Sequence, residues 1–167
     1  MQWDLEDEHS WAYDEELCNR INVITDTFDG ILDYTVPKMY PMMACVDVFP
    51  CKDNIGYNIP IYIQRYLEEG QRSRYDFELT LENKVMGDIN TILRSVFLID
   101  KDDGVLIRIN NTSEKLVELL GEDVVTKYSI DLKDLYILQN EYIGILTEGY
   151  VLQCGEYSIV ILIGTNE

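Results

Sequence analysis

The sequence predicts an α+β protein, a mainly antiparallel sheet with a C-terminal meander, covered by an N-terminal amphipathic helix and two or three short helices. Apolar residues near the N-terminus recur at helical spacing, those of the last third fall in short β-rich runs, and the turns between these runs are too short for crossover helices. A single globular domain over 1–167, with 1–13 as an acidic N-terminal arm, is expected. The chain has the usual size of one domain, and no repeat or low-complexity linker divides it.

Between 14 and 33, Leu17, Ile21, Ile24, Phe28 and Ile31 recur at steps of three and four and predict one face of an amphipathic helix. Asp14, Glu15 and Glu16 sit in its first turn, where the helix dipole favours acids, and Thr35-Val36-Pro37 stops it. The run Met42-Met43-Ala44-Cys45-Val46, with Pro37, Pro41 and Pro50 around it, reads as a strand or a buried turn. Pro60 at a first helical position, followed by Ile61, Ile63, Tyr66 and Leu67 and closed by Gly70, suits a second helix, although 57–63 also reads as extended. Tyr75, Phe77, Leu79 and Leu81 alternate with Asp76, Glu78, Thr80 and Glu82, the period of a strand with one wet face.

A short helix is expected near 88–93. Beyond it, 95–99 and 105–109 flank Asp100-Lys101-Asp102-Asp103-Gly104 and read as a hairpin. Asn111-Thr112-Ser113 offers caps for a helix through Leu116, Val117, Leu119 and Leu120, ended by Gly121. The runs 142–146, 150–154 and 157–163, separated by Thr147-Glu148-Gly149 and Gly155-Glu156, make the meander. Its last strand, 158–163, is apolar enough to be buried on both faces, and the helices are expected on one face of the sheet.

The chain carries a formal net charge of −18, yet 47% of its residues are apolar, so the acid belongs to a folded body. Its thirteen Lys and Arg residues all lie between Arg20 and Lys133, which leaves both ends purely anionic. Such a surface repels a phosphate backbone, so direct nucleic-acid binding is disfavoured and a basic protein is the expected partner. No run of eighteen apolar residues suggests a membrane span, and Met1-Gln2-Trp3-Asp4 lacks the basic-then-apolar order of a signal peptide, so a cytoplasmic protein is expected. There Cys18, Cys45, Cys51 and Cys154 are expected as free, mostly buried thiols.

Chemical motifs are sparse. Asp100-Lys101-Asp102-Asp103-Gly104 resembles the start of an EF-hand loop, but glycine falls one position early and Asn111 stands where a bidentate Glu is required, so a charged turn is the better reading. The cysteines and His9 lack zinc spacing, and His9 among Asp7, Glu8 and Ser10 reads as a solvated surface residue. No nucleophile elbow, metalloprotease helix, phosphate loop or dinucleotide fingerprint occurs. No catalytic residue, cofactor or metal is therefore expected, and the chain is not read as an enzyme.

Trp3 and Trp11 stand among Asp4, Glu6, Asp7, Glu8, Asp14, Glu15 and Glu16, aromatic anchors within a charged rim that suit a protein interface. The plainer alternative tucks both tryptophans against the edge of the core. The first expectation of function is a bacterial immunity-type inhibitor that neutralises a basic toxin or nucleic-acid-binding enzyme by occluding its cleft; in composition the chain resembles small acidic immunity proteins of AT-rich bacteria. The alternatives are a phage or mobile-element antagonist that mimics nucleic acid, and a small enzyme or ligand-binding domain.

Overall fold

The computed structural model describes residues 14–35, 42–65, 78–97, 102–139 and 145–165. The first element, α1 (Glu15–Thr35), is the expected amphipathic helix, with Ile21, Ile24, Phe28, Ile31 and Thr35 buried along one stripe. It is followed by β1 (Met42–Phe49), which decides the open question at 42–46 in favour of a strand. The second helix, α2 (Ile55–Arg65), begins five residues before Pro60, so the proline is inside the helix and not at its first position. A proline has no N–H to offer the carbonyl four residues back. That carbonyl belongs to Gly56 and accepts instead from the Leu79 N–H at 2.8 Å, so the missing helical bond becomes a tertiary one. Tyr66, Leu67 and Gly70 lie outside the described residues.

The alternating strand expected at 75–82 is displaced. Glu78, Leu79 and Thr80 are not in a strand, Tyr75, Asp76 and Phe77 lie outside the described residues, and the strand proper is β2 (Leu81–Asp88). Leu79 is nevertheless buried, and the Thr80 N–H donates to the Asp134 carboxylate at 2.6 Å. The expected short helix is α3 (Ile89–Phe97), capped by Asp88, whose carboxylate accepts from the backbone and hydroxyl of Thr91.

The hairpin expected across 95–109 is not formed. Residues 95–97 end α3, 98–101 lie outside the described residues, and 105–109 open the long helix α4 (Asp103–Leu120). Asp102, read as part of a turn, is the N-cap of α4, and its side chain accepts from the N–H groups of Gly104 and Val105. Val105, Ile109, Thr112 and Leu116 then form the buried stripe at helical steps. Gly121 ends the helix as expected, with φ 72° and its N–H bonded to the Val117 carbonyl.

The chain continues through β3 (Val124–Ile130), α5 (Leu132–Leu138), β4 (Ile145–Cys154) and β5 (Tyr157–Thr165). Two of the three expected C-terminal runs are one strand, β4, and Thr147-Glu148-Gly149 is no turn but a place where its register against β5 shifts. Residues 142–144 lie outside the described residues. The sheet order is β1-β5-β4-β3-β2 and all pairs are antiparallel. β5 is buried at every position from Tyr157 to Gly164, as its sequence implied.

Helices cover both faces, not one. Tyr157 and Ser158 are neighbours in β5 and so face opposite ways. Arg20 of α1 stands 5.7 Å from the centre of the Tyr157 ring, whereas Phe49, which pairs with Ser158, stacks on Tyr62 of α2. α3 and α4 join α1 on its face, and α5 lies on the side of α2, where a methyl group at Gly149 would come within 2.5 Å of Leu135.

Candidate functional site

Of the residues expected at a partner interface, Trp3, Asp4, Glu6, Asp7, Glu8 and Trp11 lie outside the described residues. Asp14, Glu15 and Glu16 are exposed at the start of α1. Asp14 is the cap of that helix: its carboxylate accepts from the Leu17 N–H at 3.0 Å and its carbonyl from the Cys18 N–H. Glu15 and Glu16 follow in the first turn, where the unsatisfied N–H groups favour negative charge.

These three acids stand at one end of a groove of about 650 Å³ between α1 and the end of α4. Val23, Ile24 and Leu119 supply its apolar lining, with Asn19 and Arg20 beside them. The guanidinium of Arg20 lies over Tyr157, so the cation nearest the acids is engaged with a ring. Farther along the same two helices, a second groove of about 440 Å³ includes Val23, Asp26 and Thr27 on one side and Arg108 and Lys115 on the other. The electrostatic character therefore changes along α1, anionic at its start and mixed beyond Val23.

The exposed face of α1 adds Asp26, Asp29 and Asp33, and that of α4 adds Glu114 and Glu118. Among the described residues none of these carboxylates, nor Glu15 or Glu16, has an ion-pair partner. Among the described residues Lys52 does form an ion pair, with Glu156 at 2.9 Å, which bridges the β1–α2 connection to the β4–β5 turn. Sequence reading found the acids and missed the apolar part of the groove. Val23, 44% exposed between buried Ile21 and Ile24, was the available signal, an apolar side chain off the buried stripe. Leu119 had none, because only the packing of α4 on α1 brings it there.

The thiols are free, as expected, with Cys51 and Cys154 buried and Cys18 and Cys45 half-buried. Burial, reinforced by the nearby Asp47 charge, pushes Cys45 up to about 12. Burial likewise raises Cys51 to about 11, against the Ser158 hydrogen bond, and Cys154 to about 11, with help from Glu122 and Asp123. These three are thiols at neutral pH and poor nucleophiles. Ser95 accepts from Lys127 at 2.8 Å and donates to the Ile92 carbonyl at 2.6 Å, so the lysine is the donor and is not placed as a base for the serine. Among the described residues no group of three His, Cys, Asp or Glu side chains could hold a metal ion, and no helix is long and apolar enough to cross a membrane. No family model, curated protein or solved structure matches the chain.

Proposed function

We propose that the chain is an acidic protein-binding inhibitor of immunity type, which neutralises a basic toxin or nucleic-acid-binding enzyme in the cytoplasm by covering its cleft. The observation that carries this reading is the groove at the start of α1, where an apolar lining meets carboxylates that have no ion-pair partner among the described residues. Apolar contact supplies affinity at the centre of such an interface, while unpaired charge at its rim steers a cationic partner and raises the rate of encounter. A net charge of −18 extends that steering field over the whole molecule.

The test is association kinetics with a basic partner captured on the immobilised chain at low salt. Replacing Glu15, Glu16 and Asp26 together by Lys is expected to slow association at least ten-fold at low ionic strength and to leave the circular dichroism spectrum unchanged. The difference should shrink as salt screens the field. Equal association rates for parent and variant at low salt would remove α1 from the interface.

A second reading, a ligand-binding domain, draws on a polar cleft of about 580 Å³ between the β1–α2 connection and the β4–β5 turn, lined by Lys52, Asn54, Tyr57, Asn58 and Glu156. Asn54 holds φ 49° there. Small-molecule screening by thermal shift, with Lys52→Ala as the control, separates the two readings.

A further inference from the structure

β2 is the last strand of the sheet and pairs on one side only, with β3. Its first half is blunted: register shifts between Glu82 and Val85, and Asn83 takes φ 53°. The second half is regular, Val85 to Asp88 pairing in step with Lys127 to Val124. Along its outer side, among the described residues, no backbone group of 82–87 bonds to another part of the chain, while Asp88 is already committed as the cap of α3. Side chains from Glu82 to Met86 are exposed, Val85 at 47% and Met86 at 64%, so two apolar residues stand on opposite faces of an open edge. Natural sheets cover or blunt such edges, and an uncovered one is a template for another strand.

The geometry points to β2 as a docking edge for an extended segment of a protein partner in which basic and apolar residues alternate, added antiparallel along Val85–Asp88. The sign of its charge follows from the surroundings. Glu82 lies beside Asp131, Asp88 ends the strand, and Glu122 and Asp123 lead into β3, all with exposed or half-exposed carboxylates. Lys84, exposed on β2 itself, is the one cation of that strand, against the five carboxylates of Glu82, Asp88, Glu122, Asp123 and Asp131, and Lys127 of the adjoining strand is engaged by Ser95 and the Tyr150 ring. For a second copy of this chain, antiparallel pairing about Val85 is disfavoured, because it would bring Glu82 towards Asp88 of the other copy. The inference shares with the proposed function only the sign of the partner's charge.

The experiment uses the full chain and three labelled peptides: an acetylated hexapeptide alternating Lys and Val, the same peptide N-methylated at every second residue, and its Glu–Val counterpart. Fluorescence anisotropy is expected to show saturable binding of the first, at least ten-fold weaker binding of the second, and none of the third. Amide exchange should slow within 82–88 alone. Met86→Lys should weaken the first peptide at least ten-fold while exchange in the core strands stays unchanged. Equal binding of the N-methylated peptide, protection mapped to α1, or no binding would each overturn the edge. Protection on α1 would do so while supporting the proposed groove. A dimer by sedimentation that protects 82–88 without peptide would replace the basic segment with a second copy.

Discussion

Glu82 shows how one carboxyl can report on its neighbours. The hydrogen bond and charge of Asp131, followed by partial desolvation and the charge of Asp134, push it above its ordinary range. A raised carboxyl pKa means that the folded chain holds this proton more tightly than the unfolded one. The stabilising contribution is fully present at low pH and is lost as pH rises through the folded value. Glu82→Gln should therefore raise the thermal midpoint at pH 7, and the gain should vanish below about pH 4, where the parent is protonated in both states. A gain of the same size at pH 3, measured by thermal denaturation, would show that Asp131 is not its cause. The acids were legible residue by residue in the sequence. Their pairing was not, because Glu82 and Asp131 meet only through the β2–β3 register.

Elements with a continuous buried stripe were the ones the sequence disclosed. α1 shows its steps of three and four through Ile21, Ile24, Phe28 and Ile31, and β5 its unbroken apolar run. The reading failed where burial leaves no pattern. β2 places five consecutive exposed residues in a strand, and β3 buries only Val125 and Ile130, so neither alternates cleanly. At 105–109 the apolar run was too short to separate period two from period 3.6, and only the Asp102 cap and the continuation to Leu116 make it helical. The misread turn at Thr147-Glu148-Gly149 teaches a related lesson, since the glycine serves packing. A methyl group at Gly149 would lie 2.5 Å from Leu135, 3.1 Å from Leu162 and 3.2 Å from Ile130, which are all buried. Gly149→Ala should cost about 1–3 kcal/mol through overpacking of α5 against the sheet. A denaturant midpoint equal to that of the parent would mean that α5 shifts without penalty.

At the scale of the molecule, β1 is joined to the sheet by β5 alone, and every residue from Met42 to Phe49 has its partner there. A chain ended after Glu156 should lose cooperative unfolding altogether, because it removes the buried strand between β1 and β4; a retained sigmoidal transition by circular dichroism would contradict this. The same pairing governs how the protein is made. Phe49 meets Ser158, more than a hundred residues later, so at synthesis rates of about 5–20 residues per second β1 waits on the order of 5–20 s for its partner. In that interval the strand leaves the ribosome with its hydrogen-bonding edge unpaired. The first forty-nine residues carry eleven acids against two bases. Neighbouring nascent chains on one message therefore repel each other while β1 is unpaired, and the same charge that would steer a partner guards the chain against its own copies before it has folded.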